Sequence, residues 1–218
     1  MKQTSRPLVC VFAHPDDESF GPSGTIAKYG KVRDIYVICV TDGDTKNSEI
    51  KNLSKIRKKE LLNSAKILGV KRVFFLSYKD GELSNNLYHE VVGKVRKIIE
   101  KIKPNTLMTF ELRGVSGHID HVFCSMVTTY LFQKLKYLKT LLYFAVPEYV
   151  SQKFKDYFIY FPEGYKRHGV DQVIDVAKFQ ELKIKAVECH ESQAHDVKII
   201  LELIKKLPKE EYFLVLKK

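Results

Sequence analysis

The most restrictive feature of the sequence is a steady alternation of strand-like and helix-like segments over residues 1–147. Val9–Ala13 is a compact apolar run that reads as a buried strand, and "PSGTIAKYG" reads as a short helix closed by Gly30. "RDIYVICVT" is a second strand, rich in β-branched and aromatic residues. A helix is expected through "SEIKNLSKIRKKELLNSAKILG", where Leu53, Ile56, Leu61, Ala65 and Leu68 recur at near-helical spacing before Gly69. "RVFFLS" is a third strand, "LYHEVVGKVRKIIEKIK" a helix ending before Pro104, and "TLMTF" a fourth strand. A helix from about Asp120 to Lys136 and a strand "TLLYFAV" complete the series. Such alternation implies βαβ units, hence an α/β, Rossmann-like and mostly parallel sheet with helices on both faces.

After Pro147 the rhythm changes. "DYFIYF" and "DQVIDV" read as strands, "AKFQELKIKAVECH" and "DVKIILELIKK" as helices, and "EYFLVL" as a last strand. No linker rich in Gly, Pro or Ser separates this part from the first, so residues 1–218 are expected to form one domain. In that reading 1–147 is the Rossmann-like core and 148–218 a C-terminal α/β extension that completes it. A chain of 218 residues, 44% of them hydrophobic, is long enough to bury one sizeable core.

No apolar run approaches the ~20 residues that span a bilayer. The N-terminus lacks an apolar stretch followed by a small-residue cleavage site, so no secretory signal is expected. Cys10, Cys39, Cys124 and Cys189 are scattered without a CxxC, which suits reduced thiols in a cytoplasmic protein and argues against a disulfide framework. The net charge of +11 comes largely from lysines spread along helices, as in "KIRKKE", and reads first as a solvated face. Attraction to an anionic substrate is the second reading. No zinc-finger spacing or RNA-binding motif accompanies the charge, which argues against nucleic acid as a partner.

In an open α/β sheet, ligands bind beyond the carboxyl ends of the strands. The segments there are "HPDDE", "TDGD", "SYKDGEL" and "ELRGVSGHIDH"; each carries acids, and two carry histidines. His14 and Asp17 are three residues apart with Pro15 stiffening the turn, and "GHIDH" offers His118 and His121. His14, Asp17 and one of those histidines would make a His₂Asp zinc site with an open position for water. Water bound there has a pKa near ~7, which makes hydroxide available at neutral pH. A structural zinc in a basic binding protein is the rival, but it needs four closed ligands and leaves the surplus acid and histidine unused.

"AHPDDE" followed about a hundred residues later by "GHIDH" resembles the LmbE-like, or PIG-L, superfamily of zinc-dependent N-acetylglucosaminide deacetylases. "TDGD", Arg57 and Glu60, "KDGEL" and "KIKAVECHESQ" stand in the order that family shows, so the resemblance runs from Val9 to about Gln193. It implies a hydrolase that removes acetate from an N-acetylated amino sugar or its conjugate. An amidase on another sugar or thiol conjugate is the alternative within the same fold. By this resemblance His14, Asp17 and His121 are the zinc ligands, and Asp16 is the general base. His118 stabilises the oxyanion and protonates the departing amine, with Asp120 holding its ring. Arg57 and Asp80 match positions that contact substrate hydroxyls, and Glu18 supports the loop. Relatives often form trimers or hexamers, so a homo-oligomer is compatible with the family.

Other residues have plainer readings. Arg57 and Glu60 could form an exposed i,i+3 ion pair worth ~0.2–0.5 kcal/mol. Asp80–Gly81 is a common turn pair. His190, Ser192 and Gln193 could support the fold, and His89, His168 and His195 read as surface residues. "FGPSG" lacks the GxGxxG spacing of a nicotinamide site.

Overall fold

The computed structural model describes residues 5–44, 50–154 and 160–218. In chain order the first half contains β1 (Ser5–Phe12), α1 (Asp17–Phe20), α2 (Ser23–Gly30), β2 (Arg33–Thr41), α3 (Leu53–Ile67) and β3 (Arg72–Tyr78). It continues through α4 (Tyr88–Ile102), β4 (Thr106–Phe110), α5 (Gly114–Gly117), α6 (Ile119–Lys134) and β5 (Thr140–Ala145). α7 (Glu148–Ser151), β6 (Gln172–Asp175), α8 (Gln180–Glu188), α9 (Ala194–Lys206) and β7 (Glu210–Lys217) follow.

Leu8, Val9, Cys10 and Val11 have no exposed surface, as a strand covered on both faces requires. β1 accordingly lies inside one seven-stranded sheet of order β3-β2-β1-β4-β5-β7-β6. The five strands from β3 to β5 are parallel. β7 then runs antiparallel to β5, and β6 antiparallel to β7. The segment after Pro147 therefore extends the same sheet. Among the described residues, no helix is long and apolar enough to cross a membrane.

The helices follow their apolar stripes with one instructive exception. α4 buries Val91, Val95 and Ile99, four residues apart, and ends at Lys103 in the left-handed region just before Pro104. α3 buries Leu53, Leu61 and Ala65 as its spacing predicts, but Ile56 is exposed while Arg57 and Glu60 are buried. Part of its inner face is thus polar, because it turns toward the strand ends instead of the core.

Several boundaries differ from expectation. The first residues of the long helix expected from Ser48, and most of the strand expected over 156–161, lie outside the described residues. "AKFQELKIKAVECH" opens with a 3₁₀ turn before α8. α2 has no side-chain cap from its own preceding residue, Pro22. Its first amides are instead held by Glu211 of β7, which accepts from Gly24 N–H at 3.0 Å and Thr25 N–H at 2.8 Å. Lys183 of α8 closes this buried cap, its Nζ 2.6 Å from Glu211 Oε1.

Candidate active site

The strand order reverses at β1. β2 lies on one side of it and β4 on the other, so the connections leave in opposite directions and a crevice opens at the carboxyl ends of β1 and β4. The loop after β1 brings His14, Asp16 and Asp17 to this crevice, and the segment after β4 brings His118 and His121. The β3 loop supplies Asp80, and α3 supplies Arg57. All seven line one cavity of about 450 Å³.

Hydrogen bonding fixes both ring orientations that matter. His121 Nδ1 lies 3.0 Å from the carbonyl oxygen of Gly114, which can only accept, so Nδ1 carries the proton there and Nε2 presents its lone pair. Phe110 stacks on this ring at 4.0 Å and holds its plane. His14 Nε2 is 3.1 Å from Asp80 and 3.3 Å from Asp120, two carboxylates that call for a donor. That leaves His14 Nδ1 facing His121 Nε2 at 3.1 Å. Asp17 completes the triangle, one oxygen 3.2 Å from His121 Nε2 and the other 3.7 Å from His14 Nδ1. The Asp17 side chain is itself anchored by the His14 backbone N–H at 2.6 Å.

These residues fit a zinc-sized cation. Tetrahedral ligands ~2.0–2.1 Å from zinc stand roughly 3.3 Å from one another. The three edges of the triangle bracket that value, and a carboxylate on the far nitrogen of a ligating histidine is a recurrent support for metal binding. His118 also brings a ring nitrogen within reach of those of His14 and His121, while His14, Asp80 and Asp120 form a second group of potential donors.

The surrounding charges favour positive charge in the triangle. Burial disfavours charge on His14, but Asp120, Asp80 and Asp17 outweigh it and hold its pKa well above the ordinary histidine value. Burial also disfavours charge on Asp17, yet His121 and His14 hold its pKa well below the usual carboxylate range. Asp16 is pushed up to about 6 by burial and by Asp17, against the pull of Arg57. His118 is pushed down to about 4 by burial and by the neighbouring His14 and His121.

Arg57 is a strut inside the site. Its guanidinium donates to Asp16 Oδ2 at 2.6 Å, Gly43 O at 2.8 Å, Pro15 O at 3.3 Å and Asp80 Oδ2 at 3.4 Å. The exposed pair with Glu60 does not form, because both residues are buried and Glu60 accepts from Ser192 N–H and Oγ at 2.8 and 2.7 Å. Asp80, expected to meet a substrate hydroxyl, has its carboxylate engaged by His14 and Arg57.

Asp120 meets two rings through different groups. Its carboxylate accepts from Gly81 N–H at 2.8 Å and Leu83 N–H at 3.2 Å and lies against His14. Its backbone holds His118. His118 is the N-cap of α6, and its Nδ1 accepts the backbone N–H of Asp120 at 3.2 Å. The Asp120 side chain meanwhile reaches the β3 loop.

Two supporting groups complete the site. Glu111, buried at the end of β4, accepts from Arg113 N–H, Val115 N–H and Tyr165 OH at 3.0, 3.1 and 3.2 Å. It secures a turn in which Val115 has φ +65°, a costly value for a β-branched residue. At Gly114 any Cβ would lie 2.9 Å from Val122 and 3.0 Å from His121, so the turn needs a glycine there. Sequence reasoning missed Glu111, although its place as the first acid beyond β4 was a usable signal. Glu18, expected to support the first loop, is buried and receives Ser64 Oγ and His190 Nε2, the latter at 3.0 Å. His190 and Ser192 therefore act as internal ties, whereas His89, His168 and His195 are exposed.

A family model described as GlcNAc-PI de-N-acetylase (PIG-L) matches residues 9–132, the span that holds every ionisable group of the triangle and its supports from His14 to His121. The chain is 32% identical over 126 residues to a probable N-acetylglucosaminyl-phosphatidylinositol de-N-acetylase of Schizosaccharomyces pombe, covering 54% of this chain and 48% of the relative. It is 27% identical over 198 residues to the diacetylchitobiose deacetylase of Thermococcus kodakarensis, covering 86% and 70% of the two chains. The fold matches that of N,N'-diacetylchitobiose deacetylase from Pyrococcus horikoshii with a TM-score of 0.72 and 23% identity, over 100% of this chain and 87% of the other. The chain spans about half to six-tenths of the length of the first curated relatives it matches.

Proposed function

The chain belongs to the PIG-L family of GlcNAc-PI de-N-acetylases, and on that premise we propose that it is a zinc-dependent hydrolase removing the N-acetyl group from an N-acetylglucosamine-type sugar or conjugate. The observation that carries the reading is the facing pair of ring nitrogens, His14 Nδ1 and His121 Nε2, 3.1 Å apart beside the Asp17 carboxylate. Two lone pairs so placed repel unless a proton or a metal lies between them. His14, His121 and Asp17 would hold zinc. When bound, the metal supplies Lewis-acid polarisation of the acetyl carbonyl and eases deprotonation of a water at neutral pH.

The chain's own groups do the remaining work. Asp16, with a pKa of about 6, is ionised at neutral pH and basic enough to take a proton from the attacking water. Arg57 fixes the direction of its carboxylate. His118 accepts at Nδ1 from the Asp120 backbone, so its neutral ring carries a proton on Nε2 and can donate to the oxyanion. A pKa of about 4 keeps that ring neutral at pH 7, so the protonation of the departing amine expected of His118 passes to Asp16. The proton taken by Asp16 then suits return to the departing amine as the C–N bond breaks. Asp80 and Asp120 serve as positioning groups for His14. In this reading residues 1–218 work as one catalytic domain, since α8, α9 and β7 supply the far wall of the cavity.

The test couples metal content to turnover. Purified protein should carry about one zinc per chain and release acetate from at least one N-acetylglucosamine conjugate in a panel. Chelation should stop the release, and zinc should restore it. Full activity in metal-free protein would overturn the reading, and restoration only by a different divalent ion would replace zinc.

A further inference from the structure

The cavity continues well past the ionisable cluster. Its second half is lined by Phe144 at the end of β5, Val150 of α7, and Ile200, Leu203 and Ile204 of α9, with Leu207 just beyond that helix. The α9 positions recur at helical spacing and give the helix one apolar face. Of these α9 side chains only Ile204 is buried, while Ile200 and Leu203 remain half-buried. α9 packs on α8, and its stripe borders the cavity instead of disappearing into the core. Apolar side chains left partly exposed along a concave wall mark a ligand surface.

Two features say what kind of ligand. This lobe shares one cavity with His14, His118 and His121, so its occupant is part of whatever molecule reaches those residues. Its charged groups are largely engaged already: Lys183 and Glu211 with each other, with the Gly21 carbonyl and with the first amides of α2, Lys209 with the Ile204 and Lys205 carbonyls, and Glu210 with Arg167. They are therefore committed to the fold and poorly placed to receive a polyol or an acid. From Ile200 to Leu207 the wall runs about 10 Å at the helical rise, enough for several methylenes.

Resting on the deacetylase reading, we propose that this lobe binds an unbranched alkyl chain carried by the amino sugar. The preferred substrate is then an N-acetylated amino sugar with a lipophilic aglycone, rather than the free sugar or one bearing a polar acid or polyol. Because the group removed is acetyl, the chain is carried on an oxygen of the sugar, in this proposal the glycosidic one.

The experiment measures kcat/KM for the methyl, butyl and hexyl glycosides of N-acetylglucosamine, each below its aggregation concentration, with the zinc-loaded full chain. A fully buried methylene is worth roughly a factor of four, so a partly enclosed chain should raise kcat/KM at least about tenfold from methyl to hexyl. Ile200→Asn and Leu203→Asn should each cut the hexyl-over-methyl ratio severalfold, with melting temperature and zinc content confirming an intact fold. A flat series in the wild type, or an unchanged ratio in both folded variants, would overturn the proposal. Calorimetry with hexyl and methyl glucosides, which lack the acetamide, separates the two readings. Length-dependent binding without acetate release from any glycoside would keep the apolar site and sink the deacetylase. Equal release at every length with no hexyl binding would do the reverse.

Discussion

The Arg57 guanidinium and the Asp16 carboxylate meet at 2.6 Å inside the site, and the same cation touches Asp80. One buried arginine thereby sets the direction of the proposed base and braces a carboxylate that orients His14. Arg57→Gln should retain zinc and lower turnover by roughly 10–100-fold, the usual range for a support of this kind. Arg57→Lys should recover little, because an ammonium cannot reproduce the planar fork. Zinc content and kcat of the two variants check this; full activity in Arg57→Gln would make the contact incidental.

Adjacent acids should separate cleanly. Asp16→Asn keeps the side chain's size and removes its basicity, so zinc stays while turnover falls on the order of 10²–10⁴. His118→Ala should likewise keep zinc and lose rate. Asp17→Ala and His121→Ala should lose the metal along with activity. Metal analysis and turnover on all four proteins decide the matter, and a metal-free Asp16→Asn beside a zinc-loaded Asp17→Ala would exchange the two roles.

Asp80 touches the His14 ring from behind, so its effect should fall on metal affinity before chemistry. Asp80→Asn should weaken zinc binding by roughly 10–100-fold in competition with a chromogenic chelator. At saturating zinc, most of kcat should return. A substrate-contact role predicts the opposite pattern, with unchanged zinc affinity and a raised KM.

The cap of α2 gives a stability prediction independent of activity. Glu211→Ala leaves the Lys183 ammonium with the Gly21 carbonyl but no counter-charge, and two helix amides without their acceptor, which costs about 3–5 kcal/mol. Glu211→Gln should cost less, because its amide oxygen still accepts one helix N–H. Urea unfolding measures both, and a loss below ~1 kcal/mol in Glu211→Ala would mean that water replaces the carboxylate.

How much of this was readable in the chain depended on sequence distance. His14, Asp16 and Asp17 follow one apolar strand directly, and His118 and His121 follow another, so period and motif were enough to bring them to one rim. The parallel core was legible for the same reason. What escaped were contacts whose partners lie far apart: Glu211 capping a helix 187 residues earlier, and Asp120 reaching Gly81 and His14. Periodicity also misread α3. A solvent-facing pair is one of the two readings of Arg57 and Glu60, because helical spacing reports which residues share a face, not whether a polar end of that face meets a cavity. His118 and Asp120 illustrate a finer limit: Asp120 meets the His118 ring through its backbone N–H while its carboxylate reaches the β3 loop, a division the motif alone does not show.

The Glu211 clasp also has a consequence in time. A polypeptide made from its N-terminus produces His14 and Asp17 early, while the residue that pins the following helix comes 187 residues after the amide it holds. Closing such a long loop is slow relative to local helix formation. During synthesis the first loop therefore emerges with an unpinned helix behind it and without His121, so two of the three proposed ligands would meet a passing ion alone. On the proposed reading firm capture would wait for β4 and α6 to bring the third, and β7 then locks the α2 end of the loop.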